Sequence, residues 1–129
     1  LIALYWLIYF ATDLAKPDFV RDPAAASLTA VYLGFEDAFP LADGFVALTA
    51  LAAARALWRG EPRAAVFGLL SAGGLAFLAL IDFSFNVEHG LYGRMAEDPG
   101  MALEAALNAG CAGFAGWSAW RFGRALRRP

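Results

Sequence analysis

The sequence predicts an all-α fold: a polytopic membrane protein built as a four-transmembrane-helix bundle, with an additional short interfacial helix, in one domain of residues 1–129. Three observations lead there. The chain is 60% hydrophobic and 17% charged, whereas an average soluble chain is roughly 45–50% apolar and about 25% charged. Its mean hydropathy of +0.55 leaves so small a protein too little polar surface to cover itself in water. Its basic residues also gather in two clusters that a bundle would bring to one side of a membrane.

The first span is placed at residues 1–15, an apolar run opening on Leu1, Ile2, Ala3 and Leu4. At 1.5 Å per residue it covers about 22 Å and falls short of a hydrocarbon core of about 30 Å. The run has neither a basic leader nor an A-x-A cleavage site before it, and no initiator methionine, so this helix is expected to lack a turn or two.

Residues 24–58 are mostly apolar but are interrupted by Glu36, Asp37, Pro40 and Asp43. Proline removes a backbone donor and disfavours helix in the residue before it. The second span is therefore placed at 41–58, with Asp43 in the first turn, where a helix N-terminus favours an anion. Residues 24–36, introduced by Asp22-Pro23, form the short helix, lying in the interface or dipping partly into the bilayer.

The third span is the cleanest, since Ala64 to Ile81 carries no charge and the helix extends to Phe85. The fourth, at 101–122, is interrupted only by Glu104 near its start and Arg121 near its end. Its small residues Ala105, Ala109 and Gly113 make a smooth stripe, expected to pack against a neighbouring helix of the same bundle.

Of ten basic residues, seven (Arg55, Arg59, Arg63, Arg121, Arg124, Arg127 and Arg128) fall on one side of this arrangement. That side is expected to be cytoplasmic, with both termini inside a bacterial cytoplasmic membrane. Nucleic acid is not an expected partner; membrane lipids are, together with a homo-oligomeric or larger membrane complex. Cys111 is the single cysteine, which excludes an internal disulfide, a dithiol redox centre and a cysteine-based zinc site.

The chemistry is expected at the opposite, outer ends of the spans, where Asp13, Asp43, Asp82 and Glu104 bring one carboxylate from each helix to a similar level. Asp82, Asn86 and His89 share one helical face, as do Glu104, Asn108 and Cys111. Ionisable groups at the bilayer edge must pair, neutralise or reach water. The candidate ligand-binding set is therefore Asp13, Glu36, Asp37, Asp43, Asp82, Asn86, His89, Glu104 and Asn108. Asp82, Glu88 and His89 are the candidate ligands of a divalent cation.

Structural uses of the same residues are simpler: acids can cap helix starts, as at Asp43 and Glu104, or bond neighbouring tyrosines. Trp6, Trp58, Trp117 and Trp120, with Tyr5, Tyr9, Tyr32 and Tyr92, read as interfacial belt residues. Phe77, Phe83 and Phe85 beside Phe35, Phe39 and Phe45 would suit a lipid or prenyl chain. No H-E-x-x-H, P-loop, G-x-S-x-G or dinucleotide fingerprint is present.

The run from Gly34 to Gly44, followed by Asp82-Phe83 and by Glu88-His89-Gly90-Leu91-Tyr92, resembles small uncharacterised bacterial four-helix integral membrane proteins over most of the chain. That resemblance implies topology and membrane location and no activity.

The expected function is a small membrane protein with an outward-facing acidic pocket that binds a cation or a small lipidic or cationic ligand, or serves as an accessory subunit. The rival expectation is a small membrane enzyme, isomerase- or hydrolase-like, acting on a lipid or isoprenoid. In it Asp82 or Glu104 is the general acid and His89 the partner base.

Overall fold

A computed structural model describes residues 2–12 and 16–126. The chain forms α1 (Ile2–Ala11), 3-10 turns at Asp18–Arg21 and Pro23–Ala25, α2 (Ala26–Glu36), α3 (Phe39–Trp58), α4 (Ala64–Glu88), a 3-10 turn at Leu91–Arg94, and α5 (Pro99–Ala125). No strand occurs among the described residues.

Helix α4 is the centre of the fold. It packs along α3 on one side and α5 on the other, while α1 lies against α3. Two glycines set how closely these helices approach. A Cβ on Gly68 would clash with the ring of Phe122, and one on Gly74 would lie 2.9 Å from Val46 Cγ2. The Gly68–Phe122 contact also shows that α4 and α5 run antiparallel, with the start of one beside the end of the other.

Two stretches are long and apolar enough to cross a membrane: Pro23–Trp58, which joins α2 to α3, and Ala64–Glu88. Helix α5 has the length, at 27 residues, but Glu104, Asn108, Ser118 and Arg121 among many alanines and glycines lower its apolarity. Helix α1 has 10 described residues. Asp13, Leu14 and Ala15 of the expected first span, and Arg127 and Arg128 of the C-terminal basic cluster, lie outside the described residues.

The interior is made of small side chains and the exterior of large ones. Ala53, Ala56, Ala64, Ala65, Ala72, Ala79 and Ala115 are buried, with Thr49, Ser71 and Ser118. Leu48, Leu51, Phe77, Leu80, Leu107 and Phe114 face outward, and Leu41 and Trp58 are 87% and 94% exposed. Larger buried side chains gather at one end, where Phe19, Tyr32, Leu91 and Met101 pack together.

Helix boundaries differ from the sequence expectation by a few residues, each for a local reason. Helix α3 begins at Phe39 and takes Pro40 into its first turn, where the missing N–H costs nothing. Helix α4 continues three residues past Phe85, to Glu88, and stops where Gly90 adopts the left-handed conformation at φ 65°. Helix α5 starts at Pro99, with Asp98 as its N-cap.

These boundaries correct the capping role expected of two acids. The first turns of α3 and α5 contain no acidic residue, so Asp43 and Glu104 stand deeper in their helices. Asp43 accepts a hydrogen bond from Trp6 Nε1 at 2.8 Å. The expected packing role of the small-residue stripe on the fourth span is also corrected. Ala109 and Gly113 are exposed, and Ala105 and Ala109 border an open apolar groove of about 390 Å³ between α4 and α5.

Asp98 holds the α5 start against the segment before α2. Its Oδ1 accepts from Met101 N and its Oδ2 from Phe19 N, both at 3.1 Å. Burial alone would raise the Asp98 pKa, but the backbone N–H groups of Asp18, Met101, Phe19 and Gly100 together hold it below the usual carboxylate range. Gly100 completes the contact, since a Cβ there would meet Pro17 Cα at 2.8 Å. At the other end, Glu61 pairs with Arg63 and Arg59 in the short α3–α4 connection. The hydrogen bond from Arg63 lowers the Glu61 pKa.

Candidate functional site

Three helices each deliver one carboxylate to the same place. Glu36 stands at the end of α2, Asp82 in the last two turns of α4, and Glu104 in the second turn of α5. Each offers a carboxylate oxygen, and these atoms all lie within 4.8 Å of one another. Glu36 is buried, and Asp82 and Glu104 are half-buried.

Neutral donors serve this group. Asn86 lies one turn beyond Asp82, and its Nδ2 donates to Asp82 Oδ1 at 3.0 Å and to Glu104 Oε1 at 2.9 Å. Tyr32 lies one turn before Glu36 on α2, and its hydroxyl donates to Glu104 Oε2 at 2.7 Å. Asn86 and Tyr32 are both fully buried. Two buried polar atoms beside the acids have no hydrogen-bond partner, Asn86 Oδ1 and the Tyr9 hydroxyl. Tyr9 is within electrostatic range of Glu36 and Glu104, and Tyr5 of Glu36, Glu104 and Asp82, while α1 itself packs against α3.

The other candidates are distributed as follows. Asp43 lies on the α1 side, bonded to Trp6. Asp37 is exposed at the end of α2. Asn108 is buried, but its Nδ2 donates to the Tyr92 hydroxyl at 3.2 Å, outside the acid group. Asp13 lies outside the described residues.

His89 follows the last residue of α4. Its Nδ1 is 2.9 Å from the Phe85 carbonyl oxygen, and its ring stacks on Phe85 with centroids 4.2 Å apart. Glu88 is exposed. Neither belongs to the group that Asp82 forms with Glu36 and Glu104. The structure thus joins Asp82 to two acids from other helices, and it ties His89 to its own helix end. Among the described residues His89 shares no hydrogen bond with Asp82 or Glu104, the two acids expected to work with it.

Three aromatic residues expected in an interfacial belt are instead interior. Trp6, Tyr9 and Tyr32 are buried, whereas Trp58, Trp117 and Trp120 are exposed. The signal that identifies Tyr32 is its spacing of four from Glu36, which puts both on one face of α2. Phe35 and Phe85 do meet, stacked at 3.9 Å, and Phe39 packs on Phe35 at 4.8 Å. Phe35 and Phe85, with Phe77, line an open groove of about 400 Å³ shared with Leu80, Ile81, Ser84 and Glu88.

Chemically, three carboxylates at this spacing, served by one amide and one phenol, cannot all carry full charge uncompensated in a low-dielectric setting. Protons shared among them, or a cation seated between them, balance the charge. Comparison with protein-family models, with curated proteins and with solved structures gives no match. The functional reading therefore rests on the residues themselves.

Proposed function

We propose that this chain is a small integral membrane protein of four spans, carried by α1, α3, α4 and α5, whose acidic pocket near the outer face binds a cation or a small cationic ligand. In this reading α2 is the short helix at that face and brings Glu36 into the pocket. The protein resides in a bacterial cytoplasmic membrane with both termini on the cytoplasmic side. Membrane lipids surround it, and it acts alone, as a homo-oligomer or as an accessory subunit of a larger complex.

The single observation that carries the pocket is the meeting of Glu36, Asp82 and Glu104 within 4.8 Å. Three acids from separate helices converge only at a cost, which a ligand of opposite charge repays. The membrane setting is supported by the inversion of ordinary burial. Along α3, α4 and α5 small residues that let helices approach are inside, and large ones such as Leu48, Phe77 and Trp117 are outside. Orientation is supported by Arg55, Arg59, Arg63, Arg121 and Arg124, which gather at the end of the bundle opposite the acids.

The test is ligand-dependent stability of the purified full chain in mild detergent. Thermal unfolding is followed with calcium, magnesium and tetramethylammonium chlorides at matched ionic strength. At least one cation is expected to raise the midpoint of the wild type and to leave Asp82→Asn unmoved. Equal response of both proteins to every salt would sink the pocket reading. Cysteine-accessibility mapping of single cysteines at Trp58 and Glu88 in a Cys111→Ser background tests the orientation, which requires labelling from opposite faces.

A further inference from the structure

We infer a second binding site, separate from the acidic pocket: the open groove between α4 and α5 takes a lipid alcohol, an aliphatic chain ending in one hydroxyl group, whose hydroxyl closes a ring of hydrogen bonds with Asn108 and Tyr92. The space exists because small side chains face each other there. Ala79 on α4 and Ala105, Ala109 and Ala112 on α5 line a groove of about 390 Å³, within the roughly 300–1,000 Å³ of small-molecule sites. Between Ala105 and Ala112 it follows α5 for about 10 Å. Phe83 and Met95 extend the apolar lining, so the body of a ligand seated here is hydrocarbon.

Two polar side chains interrupt that lining, Tyr92 and Asn108. Asn108 Nδ2 donates to the Tyr92 hydroxyl at 3.2 Å. That bond uses only part of what the pair offers. Among the described residues no acceptor takes the Tyr92 O–H proton, and no donor reaches Asn108 Oδ1. Asn108 is only 8% exposed, so bulk water does not serve its amide freely. The buried atoms that are sealed and unpaired are the Tyr9 hydroxyl and Asn86 Oδ1. Asn108 Oδ1 is not one of them and keeps its remaining surface toward the groove that the residue borders. Tyr92 is held in position by its surroundings. Leu91 beside it is fully buried, Gly90 turns the chain at φ 65°, and the Tyr92 ring packs on Phe83 with centroids 5.7 Å apart.

An unused donor beside an unused acceptor selects the polar end of the ligand. A carboxylate only accepts, and would set a negative oxygen against Asn108 Oδ1. An ammonium only donates, and would leave the Tyr92 O–H unpaired. An ether oxygen accepts without donating. A hydroxyl does both from one atom: it accepts from Tyr92 and donates to Asn108 Oδ1. Three bonds then run in a ring from Asn108 through Tyr92 and the ligand back to Asn108, each polarising the next. Turning the Asn108 amide reverses every bond and leaves the requirement unchanged, because the hydroxyl then accepts from Nδ2 and donates to the Tyr92 oxygen. Among the described residues neither Asn108 nor Tyr92 bonds to Glu36, Asp82 or Glu104, so the site does not depend on the acids.

The test uses dodecanol, dodecyl methyl ether and ionised dodecanoate, which share one chain and differ in what their polar end donates and accepts. Thermal unfolding of the full chain in mild detergent is followed as each is added at equal mole fraction of the micelle. Dodecanol is expected to raise the midpoint saturably, with half-saturation about fivefold below that of the ether, the effect of one net hydrogen bond. Dodecanoate should also be weaker than dodecanol. Tyr92→Phe keeps the ring and the groove but removes the hydroxyl, and should bring dodecanol and the ether level. Ala109→Phe fills the groove from an exposed position. It should abolish the dodecanol response while the chain unfolds as cooperatively as wild type.

Equal half-saturation by dodecanol and the ether in wild type overturns the hydroxyl assignment: the groove then takes chains whatever their end, and water serves Asn108 and Tyr92. A wild-type response to dodecanol in Ala109→Phe places the alcohol elsewhere and overturns the site. Absence of a response to all three compounds in folded wild type overturns both.

Discussion

Replacing Asp98 tests how the acid-bearing end of the helices is held together, because one carboxylate there serves two chain segments. Its Oδ1 caps α5 through Met101 N and its Oδ2 takes the Phe19 N–H from the segment before α2. Loss of an aspartate N-cap costs about 0.5–2 kcal/mol. Leaving the buried Phe19 N–H without an acceptor costs about 1–3 kcal/mol more. Asp98→Ala is therefore expected to destabilise the fold by about 1.5–5 kcal/mol, read from reversible denaturation in detergent at neutral pH.

The same carboxyl gives a pH signature whose sign follows from its lowered pKa. An acid more easily ionised in the folded than in the unfolded chain contributes stability that is complete above its unfolded pKa, near 3.9. That contribution is lost as the pH falls through the lower, folded value. Asp98→Asn keeps an oxygen for one backbone N–H and removes the titration. It should therefore lie closer to wild type than Asp98→Ala does at neutral pH, and should lose less stability between about pH 4 and pH 2. If Asp98→Ala matched wild type within about 0.5 kcal/mol, or Asp98→Asn followed the wild-type acid limb, the carboxylate would not be the clamp described.

Three further outcomes are expected. Gly100→Ala should cost about 1–3 kcal/mol in the same denaturation assay, because its Cβ would meet backbone at Pro17 Cα, 2.8 Å away, and not a side chain that can swing aside. Gly68→Ala should also destabilise, but Phe122→Ala in the same chain should recover much of the loss, since the atoms its Cβ would meet most closely belong to that ring; a double-mutant cycle with no coupling would refute the contact. Asn86→Asp exchanges the two bonds donated to Asp82 and Glu104 for a fourth carboxylate. It should lower thermal stability without added cation and respond more strongly than wild type does to the cation that stabilises the latter, as read by the shift in the unfolding midpoint.

Helices were legible in the sequence because apolar runs and their punctuation are local properties. The uncharged stretch from Ala64 to Ile81 announces α4, Gly90 marks its end, and Pro40 marks the start of α3 even though the proline itself belongs to the first turn. Asp82, Asn86 and Glu104 were legible as candidates for the same reason: each is a polar residue on an apolar helix. Their company was not. Helix rotation decides whether Asp82 faces Glu36 and Glu104, and rotation is set by close approaches such as Gly68 against Phe122 and Gly74 against Val46, which leave no periodic trace. The buried aromatics were misread on similar grounds. Near a span end, a tyrosine such as Tyr32 looks the same whether it touches headgroups or donates to Glu104.

Residues 36, 82 and 104 are made far apart in time as the chain is synthesised, and that order has a consequence for assembly. Until α5 is in place, Glu36 and Asp82 lack Glu104, and Tyr32 lacks the acceptor for its hydroxyl. The site therefore comes into being with the last helix, and a chain that stalls earlier exposes acids that cellular quality control can recognise. A ligand that binds only the finished site pulls this last step forward, by about 2.7 kcal/mol at a free concentration one hundred times its Kd. On the proposed reading the steady amount of protein would then follow the supply of cation, and pulse-chase lifetimes of wild type and Glu36→Gln in media with and without added calcium would show whether it does.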